Sequence, residues 1–506
     1  MKIKHPTKDP TLVSYHRPEL EALLASLELA LDCWSLMSTE KLGSAKKKYI
    51  KREQAEPYNA FMERLDRATY TPIYRDSIKA YAGLLNRFHL VEPPQSLEDH
   101  KEDVDLQGSS VQSFFNRADE LTIRDGGCYI LVEMPEEVQN NNALDEKTDG
   151  RRPYLILIER KDVVNWSVQY IGGREVITHA TWRQLRQFRD DQGSAYGAKV
   201  EPVYHCMKPG EVTSYRLTRN SSVDSATSAW KQEVVGKPKS TSLPLVPLIW
   251  YGSTNSRFAQ SDLPLNGLAE LSVQHFASRS DKAELIRKCA LPVPVRKGYH
   301  QSDDPNNPGL TIGPNTFMDL PGEGADFSFV EPTGRSLTDH GQEIEHIEML
   351  MDRSGLNFLY GANIKTATEA SLRASQVASQ VSALVRNKVS VFSAIMRIWA
   401  AYMGEQADIT PESGIQINDS LINRPLDPSG VAQIINLVNG GLMSKRSALH
   451  ELVRGGAIDP DTDIEKELQR IADEQPVEET AAPVTQNPKN DSDPKDKAKK
   501  GKQAKP

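Results

Sequence analysis

Residues 262–298 read DLPLNGLAELSVQHFASRSDKAELIRKCALPVPVRKG. Asp262 can cap a helix and Pro264 suits its first turn, and no further proline occurs until Pro292 and Pro294. The segment is therefore expected to be one helix ending near Ala290, about 40 Å long at 1.5 Å per residue. Its apolar stripe (Leu265, Leu268, Leu271, Phe276, Leu285, Ile286) is narrow and drifts around the axis. Arg279, Lys282, Arg287 and Lys288 crowd its second half, beside Asp281 and Glu284. So long a helix with so little apolar surface is poorly explained as the core of an isolated domain. Three readings follow: a solvent-crossing strut, a stave packed against copies of itself, or a surface helix laced by salt bridges.

Toward the N-terminus the pattern is first helical. Arg17 to about Met37 carries leucines at helical spacing, Tyr58–Asn86 is helical with a break near Pro72, and Ser110–Arg124 forms a shorter helix. After the turn signal Asp125-Gly126-Gly127 come strand candidates at Cys128–Met134, Pro153–Glu159, Val163–Val168 and Glu175–Trp182. More follow at Val200–Met207, Glu211–Leu217 and Trp230–Val235, while Leu243–Tyr251 is apolar but holds two prolines and reads as a connector or edge strand. Antiparallel strands packed on the first helices make the fold class α+β.

Toward the C-terminus, Leu310–Ile312, Thr316–Leu320 and Asp326–Val330 are short strand candidates, and Ser336–Met351 is helical. Residues 362–403 contain neither glycine nor proline, so a helix from about Thr368 to Tyr402 is expected, on the order of 50 Å long. Its first half is rich in alanine and serine, including Ala374 and Ala378, and its second half carries Phe392 and Trp399. Small residues permit close helix approach and the aromatic face needs a partner. Helices at Pro428–Asn439, Ser444–Arg454 and Asp463–Ile471 follow, and the composition from Pro476 onward predicts a disordered tail.

The chain has 506 residues, is 38% hydrophobic and carries a formal charge of −8. An acidic balance disfavours tight, sequence-independent gripping of DNA, which needs a surplus of cations. The four cysteines are far apart in sequence, which argues against a disulfide scaffold and for a reducing compartment. No apolar run is long enough to span a membrane, and Met1–Pro10 lacks the apolar core of a secretory signal. The GxxxxGK[ST], HExxH and GxSxG patterns are absent, as is a GxGxxG after a strand. His340 and His346 lie six apart on different faces of one helix, and Lys46-Lys47-Lys48 reads as a solvated run. The sequence thus predicts no catalytic site, metal or cofactor.

Several segments recur in a familiar order: Thr71–Pro94 (TPIYRDSIKAYAGLLNRFHLVEPP), Leu121–Pro135 (LTIRDGGCYILVEMP), Arg152–Trp166, and Leu243–Trp250. The helix from Leu263 then leads into LPVPVRKG at 291–298, and Phe327–Glu331 precedes a helix, a short loop and the long Ala/Ser-rich helix. In this order the chain resembles the portal (head-to-tail connector) proteins of tailed bacteriophages over about residues 15–475. The resemblance implies a homo-oligomeric ring, commonly a dodecamer, with wing, stem, clip and crown regions around a channel for double-stranded DNA. Carried over, 1–260 is the wing, 261–290 a stem helix, 291–313 clip and 314–367 inner wing with channel helix and tunnel loop. Residues 368–475 become the long helix and crown, and 476–506 the tail. A second stem helix, usual in the family, is not evident in 298–325.

The same resemblance implies partners: a terminase motor, a head–tail adaptor, and major capsid and scaffolding proteins. It places the ring at one capsid vertex of the virion, assembled in the host bacterial cytoplasm. A channel that passes a genome must not hold it, and an acidic subunit with sparse cations suits that task. Arg279, Lys282, Arg287, Lys288 and, in the tunnel loop, Lys365 are the DNA-channel candidates. In the ring implied by the resemblance, Ala374, Ala378, Phe392 and Trp399 are candidates for packing between subunits. The alternatives are another virion structural protein, such as an adaptor or minor head protein, and a cytosolic enzyme with an α+β domain and helical cap.

Overall fold

A computed structural model describes residues 5–35, 46–54, 56–135, 151–189, 198–219, 230–241, 243–254, 257–290, 293–297, 326–330, 335–354, 367–405, 414–417, 428–454, 457–458, 462 and 464–474. The chain forms two compact units, Met1–Asn418 and Asp419–Pro506.

The first unit is built on the strand Gly127–Glu133, which lies between Leu248–Gly252 and Tyr154–Glu159 in an antiparallel sheet. Successive side chains of a strand point to opposite faces, and here both faces are covered. Cys128, Ile130 and Val132 enter one core with Phe88, Phe114, Phe115, Phe392 and Trp399. Tyr129 and Leu131 enter another with Leu20, Leu27, Trp166, Trp182 and Trp250. That explains why the segment is apolar throughout rather than alternating. The proline-bearing segment that reads as connector or edge strand supplies the edge strand Leu248–Gly252.

A larger antiparallel sheet runs in sequence order through Val163–Ile171, Arg174–Arg189, Ala198–Lys208, Glu211–Arg219 and Trp230–Val234, with Lys239–Ser240 added beside Glu211–Arg219. The fold is mixed α and β, in keeping with the expected class. Its second strand is longer than the sequence pattern suggests, because Leu185 and its neighbours continue the ladder beyond the buried part. The helical stretch before the sheets is split into Tyr58–Arg67 and Ile73–Leu85, with Pro72 at the start of the second. A two-stranded antiparallel pair, Phe88–Val91 with Gly414–Ile417, has no counterpart in the sequence reading.

The opening segment forms the helix Asn266–Ala290, and the strand Val293–Lys297 after it pairs antiparallel with Asp326–Val330. The chain then returns as the helix Arg335–Ser354, which packs along Asn266–Ala290. Leu268, Ala269 and Phe276 are buried on one helix and Ile344, Ile347 and Met351 on the other. The strand candidates 310–312 and 316–320 lie outside the described residues, as does the tail.

The helix Ala367–Met403 belongs to the first unit: Val391, Phe392, Ile395, Met396 and Trp399 are part of its core. Residues 368–475 span both units, and among the described residues the second unit holds the helices Pro428–Asn439, Lys445–Arg454 and Ile464–Glu474. Within that unit Ile434, Ala448 and Leu449 are buried and Arg446 pairs with Glu465 at 2.6 Å.

Candidate functional site

The charged half of the helix Asn266–Ala290 is held by a second helix, Tyr58–Arg67. Phe61, Leu65, Ala68 and Tyr70 form an apolar patch with Phe276, and Tyr70 meets Phe276 edge-on at 5.7 Å. Around that patch charges pair across the two helices, with Glu56 joining from just before the second. Arg64 reaches Asp281 at 2.9 Å and Glu56 at 2.8 Å, Arg67 reaches Glu284 at 2.7 Å, and Arg287 reaches Glu63 at 3.0 Å. Arg64 is buried and its pKa is raised, chiefly by the hydrogen bonds to Glu56. Burial raises the Asp281 carboxyl, with Arg64 pulling the other way. Glu63 is exposed and lowered by its hydrogen bond with Arg287.

The structure separates the candidate cations. Arg279 and Arg287 turn toward the side of Tyr58–Arg67; Arg279 is exposed and donates to Thr71 Oγ1 at 3.1 Å. Lys282 instead crosses to the returning helix, where its Nζ lies 3.4 Å from the place a Cβ on Gly341 would take. Lys288 is in the helix but its side chain lies outside the described residues, as do those of Ala374 and Ala378; Lys365 lies outside them altogether. Arg64, Arg67 and Glu63 were not singled out in the sequence. Their partners on Asn266–Ala290 (Asp281, Glu284 and Arg287) are more than 200 residues away, and only the packing of two helices brings them together.

Phe392 and Trp399 require a correction. They are 1% and 0% exposed in the single chain, so they have no surface to offer a neighbouring subunit. Phe392 packs on Phe115 with ring centroids 5.0 Å apart, and the Trp399 indole donates to Ser96 Oγ at 3.1 Å. The aromatic face does find its partner, but within its own unit.

The residues leading into Asn266–Ala290 are anchored by Arg160. Its guanidinium donates to the carbonyls of Asp125 (2.9 Å), Ser261 (2.8 Å) and Ala259 (3.1 Å), and lies 5.2 Å from the Trp250 ring centroid. Gly126 adopts φ +76°, and a Cβ there would sit 2.5 Å from the Asp262 carbonyl oxygen. At Gly127 a Cβ would strike the Trp250 ring. The Asp125-Gly126-Gly127 turn thus does more than reverse the chain: it lets the approach to the long helix press against the central sheet.

Among the described residues no three His, Cys, Asp or Glu side chains are grouped to hold a metal ion, and no helix is long and apolar enough to cross a membrane. No curated protein matches the chain. Among solved structures, it is similar to a chain in the neck of a native gene transfer agent particle computed with C12 symmetry (TM-score 0.36, 13% identity, 81% of this chain and 97% of that one). It is similar also to chains in the neck of the empty particle computed with C6 symmetry (0.35, 12%, 82% and 97%) and in the virion of the native particle (0.35, 13%, 79% and 94%). Residues 264–403, from the first of the paired helices to the end of the long one, match a family model described as a domain of unknown function, DUF4055.

Proposed function

We propose that this chain is a non-enzymatic virion subunit, and specifically a portal protein that closes into a ring at one capsid vertex. The observation that carries the reading is the helix pair Asn266–Ala290 and Arg335–Ser354, joined through a strand pair and followed by the long helix. The two helices extend about 37 Å and about 30 Å, and Ile286 and Met349 stay exposed on them. Such a pair makes sense as two staves of a barrel whose remaining apolar surface is covered by the next copy.

In this reading both helices form the stem, so the second stem helix lies beyond the interval 298–325 and the clip takes the chain between them. The sheets and N-terminal helices form the wing. Double-stranded DNA passes the channel, with the terminase motor docking for packaging and the head–tail adaptor afterwards. Arg279 is the leading DNA-channel candidate, because it is exposed and makes no ion pair among the described residues. Sedimentation velocity and negative-stain imaging of the purified chain test the proposal. The expected result is an annular particle of several hundred kilodaltons. A 56.4 kDa species at micromolar concentration in several salts, with no annulus in assembled particles, overturns it.

A further inference from the structure

Among the described residues, the core seam of the long helix contains one charge. Val381, Leu384, Lys388, Val391, Ile395, Ile398 and Tyr402 follow one another at alternating three- and four-residue steps, and all but Lys388 are apolar or aromatic. Lys388 is fully buried. Its Nζ donates to Asp119 Oδ2 at 2.7 Å and to the Leu85 carbonyl at 2.8 Å, and lies 4.3 Å from the centroid of Phe88 and 5.5 Å from that of Phe115. Asp119, also fully buried, accepts a further hydrogen bond at Oδ1 from Tyr251 at 2.7 Å. The ammonium therefore meets the helices Ile73–Leu85 and Val111–Asp125, the strand Leu248–Gly252 through Tyr251 and Asp119, and the strand Phe88–Val91.

Stability alone does not account for this arrangement, because two ions removed from water cost much of what their attraction returns, and shape-matched apolar groups often do as well. Register does account for it. Sliding the helix by one turn, about 5.4 Å, would bring Leu384 or Val391 to Asp119 and leave apolar groups in the other pockets. A seam of similar aliphatic side chains discriminates weakly against such a shift, whereas a lone buried charge facing one buried carboxylate discriminates strongly. Asn387, which donates to the Gly252 carbonyl at 2.9 Å, adds a polar contact at the rim.

We propose that Lys388, Asp119 and Tyr251 form a register pin, which fixes the position of the helix Ala367–Met403 on the core and excludes dockings displaced by a turn. The inference does not depend on ring formation. Its test uses the full chain with Cys206 and Cys289 replaced by serine and spin labels at Arg397 and, in turn, Lys79 or Glu102. The parent should give one narrow distance from each reference position. K388M alone should lower the melting temperature, since it strands a buried carboxylate. The apolar triple variant K388M/D119L/Y251F should still unfold cooperatively but show a second distance displaced by about 5 Å. A folded triple variant with only the parental distances overturns the proposal. So does a triple variant that cannot fold, because the cluster would then serve stability rather than register.

Discussion

His205 is buried on the larger sheet, stacked on Trp182 and hydrogen-bonded to Ser214 and Gln184. Burial first, then Arg186 and Lys239, hold its pKa down to about 4, against an ordinary value of 6.5. The unfolded chain therefore takes up the proton first. Stability should be full above pH 6.5 and fall as the pH drops toward 4, by on the order of 3 kcal/mol at most. Burial depresses His5 and His179 in the same direction. Urea unfolding across that range should show a shallower slope for His205→Gln, and an unchanged slope would exclude the assignment. A glycine pair gives a second residue-scale contrast. Gly126→Ala forces a side chain into a left-handed conformation against the Asp262 carbonyl and should cost about 2 kcal/mol or more. Gly83→Ala, in a helix with nothing within 4 Å, should stabilise by about 0.5–1 kcal/mol. Equal melting temperatures for the two variants would contradict this reading.

At the scale of elements, the helix Asn266–Ala290 is laced by ion pairs, as one sequence reading held, yet the lacing runs to another helix of the same chain. The pairs differ in value because their burial differs. Arg64 is 5% exposed and Glu56 11%, so Arg64→Met takes a buried guanidinium away from this ion pair and should cost about 3 kcal/mol. Arg287 and Glu63 are 49% and 58% exposed, and Arg287→Met should cost no more than about 0.5 kcal/mol. Denaturant midpoints for the two variants measure the difference, and a comparable loss from both would refute it. The returning helix Arg335–Ser354 was legible from its period, since Ile344, Ile347 and Met351 mark one face. Its pairing with Asn266–Ala290 was not, because the connection between them carries no signal of which helix it brings back.

For the molecule as a whole, the proposed ring makes a demand on the Ala/Ser-rich start of the long helix. If its small residues admit a neighbouring subunit, Ala374→Leu with Ala378→Leu should reduce ring yield severalfold while leaving the monomer soluble. Size-exclusion chromatography with ring yield unchanged would remove that role. The acidic surplus bears on the same scale: a subunit of charge −8 repeated around a channel repels phosphate on average, so passage of DNA would depend on few cations rather than on a basic lining.

Composition and local period sufficed for the α+β class, for the helices at 266–290 and 367–403, and for the central strand, because each depends on neighbours in sequence. The tertiary structure decided what those elements face. Phe392 and Trp399 form an aromatic face that calls for a partner, but a helical period cannot say whether the partner is another chain or Phe115 and Ser96 of the same one. Lys388 looks in sequence like any lysine on a long helix; its role rests on Asp119, which lies in another helix and reaches it only when four elements close around a single charge. Long-range pairing of this kind is set by packing, and no local pattern encodes it.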